Sequence, residues 1–208
     1  MEALFMAIIV AQKGIASIIG LMLPTGHIEW TWAGLNLIQR RTGLFEDTDY
    51  RVIALAVMTP DLIDKPLAWF VFPEANAALF FGHTLLLHGL VWGFAAATGR
   101  WRRWLPYLLA FSAHLIEDRM WGFTQTLLWP LRGWGWHPWQ HVSTPNEMLH
   151  AYLQIIVEEP ILITLDVIGA GLLLWFIWDR KLITRERMLS FLRSGRPPAD
   201  IIPAEQRT

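Results

Sequence analysis

The chain has 208 residues, 17 basic and 18 acidic, for a formal net charge of −1 at neutral pH. That balance provides no field for a polyanion, so no nucleic-acid partner is expected; the absence of cysteine excludes disulfides and thiolate metal sites. Hydrophobic residues make up 54% of the chain, 13 tryptophans among its residues, against roughly 45–50% in a soluble domain, and mean hydropathy is +0.34; the composition reads as an all-α integral membrane protein.

A spanning helix needs roughly 20 mostly apolar residues, and four segments are candidates. The first, Glu2–Leu23, is interrupted by Lys13. It reads as a retained membrane segment and not a cleaved leader, because no basic region precedes its long apolar run. His27–Arg40 and Arg51–Met58 are shorter and read as interfacial or re-entrant helices. Ala77–Thr98, Trp104–Glu117 and Ile155–Trp178 complete the set of about four transmembrane helices. Lys and Arg gather in cytoplasmic loops, and "GRWRR" (99–103) with "DRKLITRERMLSFLRSGR" (179–196) holds 9 of the 17 basic residues. Both stretches are cytoplasmic if all four segments span and both termini lie inside; the same inner face results if Glu2–Leu23 lies in the interface. The expectation is a multi-pass protein of the inner (plasma) membrane. Residues 1–180 form its helical transmembrane domain, and 181–208 form a basic amphipathic helix followed by a disordered cytoplasmic tail. "LLWPLRGWGWHPWQHV" (127–142) falls on the outer side, as an interfacial tryptophan anchor or an aromatic substrate platform.

The second and third segments form a hairpin around "GRWRR" and carry ionisable groups. His88 is 11 residues before Gly99 and His114 is 11 after Arg103; His83 is 16 before the turn and Asp118 is 15 after it. At 1.5 Å per residue, His88 and His114 lie ~16 Å from the turn, and His83 and Asp118 ~23 Å from it. His114 and Asp118, i and i+4, share a helix face. His83 and His88, i and i+5, would diverge by about 140° on one helix, so only one of them joins His114 and Asp118 directly. Such groups serve either as hydrogen-bonded glue between helices or as a functional site, since charged groups in a bilayer are costly. "MTPDLIDKP" adds Asp61 and Asp64, i and i+3, and "PTGHIEW" adds His27. Histidine with aspartate is a donor set for Zn²⁺, Mn²⁺ or Fe. On the fourth segment His150, Gln154 and Glu158 fall on one face, with Glu159 adjacent and Asp166 deeper, either completing a site or solvating the helix end.

The order His27, "PDLID", "GHT", "HLIED", Gly122 and "LLWPL" resembles the membrane-bound metal-dependent hydrolase family, which includes inner-membrane proteins associated with the bacterial LexA regulon. The match covers roughly residues 25–131. It departs from the family at Ala78–Phe81, where the family carries His-Arg-Gly, and in aspartates three apart instead of two. The resemblance implies His27, Asp61, His83, His114 and Asp118 as metal ligands in an α-helical site like that of zinc-dependent phospholipases C. A divalent cation is implied, zinc or manganese, with one ion or two.

Asp64 or Glu117 is then the candidate general base, and His88 would orient a ligand from one layer out. The activity expected is hydrolysis of a phosphoester in a lipid or lipid-linked substrate, with the lipid bilayer as surroundings. Two other classes remain open: a non-catalytic accessory subunit packed on partner subunits of a larger membrane complex, and a b-type haem protein with His88 and His114 as axial ligands. No G-x-S-x-G element and no Walker or dinucleotide glycine pattern is present.

Overall fold

Residues 22–139, 142–158 and 160–198 are described by the structure, a computed structural model; among them there is no strand. Helix α1 (Pro24–Thr42) opens on a proline, whose missing N–H is no loss in a first turn, and stops at Gly43, whose φ of 68° is the left-handed conformation of a helix end. Helix α2 (Tyr50–Pro66) starts at Asp49, whose carboxylate accepts the Arg51 backbone N–H at 2.9 Å. Thr84 caps α3 (Leu85–Ala97) through the Leu87 N–H. Then come α4 (Trp101–Glu117), the single turn α5 (Thr124–Leu127), α6 (Pro145–Glu158), α7 (Pro160–Asp179) and α8 (Arg185–Ser194).

The largest apolar core joins α1, α2, α4, α7 and α8 through Leu35, Tyr50, Ile53, Val57, Ala110, Phe176, Leu182 and Phe191. Tyr50 is its centre, with its ring 5.0 Å from Phe176 and 5.9 Å from Phe191. A buried polar knot closes that end of the bundle. Arg180 donates to Asn36 and, at 2.5 Å, to Gln39 Oε1, while Asn36 donates to Asp179 Oδ2 at 2.9 Å. The basic segment after α7 is part of this body: α8 buries Phe191 in the core, and the Arg51 guanidinium donates to the carbonyls of Leu192 and Arg193. Of the tail after Arg196, expected to be disordered, residues 199–208 lie outside the described residues.

The expectation of an integral membrane protein, and with it a multi-pass location in the inner membrane, is overturned: among the described residues no helix is long and apolar enough to cross a membrane. The physical reasons are local. Ala77–Thr84 is not part of a long α-helix, so the second expected span shrinks to the 13 residues of α3, about 20 Å at 1.5 Å per residue against a hydrocarbon core of about 30 Å. The third is the 17-residue α4, with Arg102 and Arg103 in its first turn. The fourth falls across two helices, α6 and α7. The first, Glu2–Leu23, lies outside the described residues except for its last two. His27–Arg40 and Arg51–Met58 sit within the packed helices α1 and α2.

Candidate metal centre

Opposite the Tyr50 core, three helix ends meet: the start of α1 and the ends of α2 and α4. Asp61 and Asp64 are both buried on the last turns of α2. Beyond them the chain passes through a π-helical turn at Leu67–Val71 and reaches a 3-10 turn at Phe81–His83. Asp64 explains why this apolar stretch is not α-helical. Its Oδ2 accepts the Phe80 N–H at 2.5 Å and its Oδ1 the Gly82 N–H at 2.8 Å, taking backbone donors that a helix would use internally. Glycine is required at position 82, since a Cβ there would stand 2.4 Å from the Pro60 carbonyl oxygen and 2.9 Å from Asp64 Oδ1.

Asp64 also fixes His83. Nδ1 lies 2.6 Å from Asp64 Oδ2, so it carries the proton it donates and Nε2 faces away, into the centre. Aromatic rings pack on the other side of this segment: Phe81 meets Trp129 at 5.2 Å and Trp136 at 4.9 Å, and the two tryptophans stack at 5.1 Å. Part of the tryptophan-rich loop thus clamps the turn that presents His83, while Trp134 is 78% exposed.

Helix α4 brings His114 and Asp118 from its last turn. His83 Nε2 stands 3.0 Å from His114 Nε2, 3.3 Å from Asp118 Oδ2 and 3.7 Å from Asp61 Oδ1. His114 Nε2 is 3.2 Å from Asp118 Oδ2 and 3.9 Å from Asp61 Oδ1. Tetrahedral ligands at roughly 2.0–2.2 Å from an ion are roughly 3.3–3.6 Å apart, so these atoms stand at close to ligand spacing. Asp61 Oδ1 is buried with no aligned hydrogen-bond partner, and the Lys65 ammonium stands 3.0 Å from it. Asp61, His83, His114 and Asp118 form a buried group that could hold a metal ion. His83, His114 and Asp118 make its tight side. Asp61, 8% exposed where the other three are 0–2%, marks the side nearest solvent.

The charges agree with this arrangement. Burial alone would push His83 down, but its hydrogen bonds to Asp118 and Asp64 outweigh it and raise it to about 9. Burial keeps His114 below its ordinary value, and its Nε2 lies 3.0 Å from His83 Nε2. Asp118 is buried, which favours its neutral form, yet His114 and His27 beside it hold it well below the usual carboxylate range.

The remaining expected residues lie around this group. His27 is one layer out: its ring stacks on His114 at 4.2 Å, Nδ1 is 2.8 Å from Glu117 Oε2, and Nε2 is 3.2 Å from Asp118 Oδ1. Burial is opposed there by Asp118 and Glu117, and His27 is raised to about 10. Asp118 therefore works with both oxygens, Oδ2 toward the centre and Oδ1 toward His27 and the Met22 N–H at 3.1 Å. Glu117 is committed to His27 and to the Thr31 hydroxyl, and Asp64 to His83 and two backbone N–H groups. Neither faces the centre as a free base.

His88 stacks on Phe111 at 4.0 Å and donates from Nε2 to the Gly82 carbonyl at 3.1 Å. Ser112 donates to its Nδ1 at 3.2 Å and accepts the Trp92 indole N–H at 3.0 Å. Burial pushes His88 down to about 4, so it is neutral, and with both nitrogens occupied it offers no axial position to a haem iron. His150 is exposed, donating to its own helix carbonyl at Asn146. Asp166 lies on α7, half-buried, and the side chains of Glu158 and Glu159 lie outside the described residues. One neighbour of the centre was missed in the sequence, Lys65, whose Nζ is 3.0 Å from Asp61 Oδ1; its i,i+4 spacing from Asp61 in "PDLIDK" is the signal that would have found it. No protein-family model matches the chain, and neither a curated protein nor a solved structure matches it.

Proposed function

We propose that the chain is a metal-dependent hydrolase of phosphoester bonds, acting on a lipid-like or lipid-linked substrate, with one zinc or manganese ion held by Asp61, His83, His114 and Asp118. The observation that carries this reading is the asymmetry of the donor set: three atoms within 3.3 Å of one another on the closed side, and Asp61 on the side nearest solvent. A bound divalent cation supplies Lewis acidity toward a water or phosphoryl oxygen. The chain's own residues do the rest. Asp64 and His88 hold the Gly82–His83 turn, so that His83 Nε2 keeps its direction, and His27 holds the far oxygen of Asp118.

A single ion is proposed. His27 Nε2 stands 3.2 Å from Asp118 Oδ1, and among the described residues one group alone offers three or more donors. The test is turnover of p-nitrophenyl mono- and diesters by protein loaded with Zn²⁺ or Mn²⁺, beside His114→Ala. Metal-dependent release of p-nitrophenol that His114→Ala loses supports hydrolysis. Stoichiometric metal without turnover of any ester overturns it in favour of a second reading, a subunit of a larger complex. That reading is favoured by large apolar side chains left outside the fold, among them Phe70, Phe94 and Leu131 at 77%, 74% and 87% exposed.

A further inference from the structure

Among the described residues Lys65 is the one lysine beside the centre, and its environment is unusual for an ammonium group. Its side chain is 12% exposed, and its Nζ faces Asp61 Oδ1 at 3.0 Å. That pair is off the hydrogen-bond axis, and neither Lys65 Nζ nor Asp61 Oδ1 has an aligned partner. The phenol of Tyr152, carried by α6, also interacts with Lys65, and Tyr152 packs against Met148, Val142 and Ala78. An ammonium has three donors, and burying them unmatched is costly.

Asp61 Oδ1 is also the oxygen turned toward His83 and His114, at 3.7 and 3.9 Å. A cation bound by that oxygen takes the charge on which Lys65 depends and leaves the ammonium short of a counter-ion. A phosphoryl oxygen of the proposed substrate is anionic, coordinates a divalent cation and accepts hydrogen bonds from a lysine at one time. We infer that Lys65, with the Tyr152 hydroxyl at its edge, is the substrate's phosphoryl-binding group: it receives a non-bridging oxygen of a phosphate seated on the Asp61 side of the metal. This rests on the hydrolase reading for the metal and adds the anion subsite. Lys65 would touch substrate, whereas His27, Asp64 and His88 act only through other residues.

The experiment uses the full chain, the metal alone and inorganic phosphate. Co²⁺-loaded wild type is titrated with phosphate, followed by its visible absorption, beside Lys65→Met loaded in the same way. The expected result is that Lys65→Met keeps one ion per chain, because a positive charge is removed from beside a ligand, and binds phosphate at least ~10-fold more weakly, as loss of a charged hydrogen bond entails. Unchanged phosphate affinity overturns the inference, and so does loss of the ion, which would make Lys65 a support for Asp61. If Lys65→Met does not fold, wild type decides. The chain has three lysines, at positions 13, 65 and 181. Phosphate should slow the amine-reagent labelling of Lys65 at least ~10-fold in metal-loaded protein and not in metal-free protein; equal labelling rates sink the proposal. Failure of the hydrolase reading looks different: phosphate binds through Lys65, but no ester is turned over.

Discussion

His83→Ala is expected to strip the protein of its metal. The structural-zinc range of roughly 10–16 kcal/mol, divided over four ligands, gives about 2.5–4 kcal/mol for each, or a loss of ~70- to ~800-fold in affinity. His83 is the severest single loss because it removes two things together: the Nε2 donor 3.0–3.7 Å from its three partners, and the Nδ1 contact that satisfies Asp64. Metal analysis after gel filtration reads the result, with thermal unfolding as the check that the chain remains folded. His88→Ala separates direct from indirect action. It leaves every donor atom in place but frees the Gly82 carbonyl, so affinity should fall only ~10–100-fold. A His83→Ala protein with a full complement of metal would remove the centre from consideration; equal losses in the two variants would mean that the site collapses as a unit.

Metal binding should also release a proton and strengthen as pH rises. The ion needs the Nε2 lone pair, but in the metal-free protein His83 stands at about 9 and is protonated at neutral pH. Each ion bound below that pH displaces one proton, so apparent affinity falls about tenfold per pH unit, or ~1000-fold between pH 9 and pH 6. The sign for folding of the metal-free protein is opposite. A histidine raised above its unfolded value of 6.5 contributes stability that is fully present below pH 6.5 and is lost as pH rises through 9. His88, depressed to about 4, contributes stability present above pH 6.5 and lost as pH falls toward 4. Calorimetric titration in two buffers of different ionisation enthalpy counts the released protons. A count of zero at pH 7 with pH-independent affinity would contradict the protonated His83.

Parts of the centre could be read from spacing alone. His114 and Asp118 share a face because i and i+4 always do on a helix, and the turn at Gly99 between α3 and α4 brings residues at similar depth toward each other. The faces of His83 and His88 could not be read that way. Helical periodicity assumes one continuous helix through both, whereas Asp64 draws the Phe80 and Gly82 N–H groups out of helical pairing and α3 begins only at Leu85. The same long-range contact removed the second expected span. An apolar run says how much surface seeks burial, and it does not say whether the chain meets that need by crossing lipid or by packing on its own helices. The place of Asp64 beside Asp61 in sequence suggests shared chemistry, and only the fold shows its oxygens engaged by His83 and two backbone N–H groups.

Gly82 carries a consequence for how this chain tolerates change. A methyl group at that position collides with the Pro60 carbonyl and with Asp64 together, so a library of all substitutions should be nearly blank there. Gly89 and Gly93, a few residues along in α3, have no heavy atom within 4 Å of an added Cβ. Alanine at either should raise helix stability by up to about 1 kcal/mol. Three glycines of one short stretch thus fall at opposite ends of the mutational scale, and an engineer seeking a sturdier protein can spend changes on the helix while leaving the turn before it untouched.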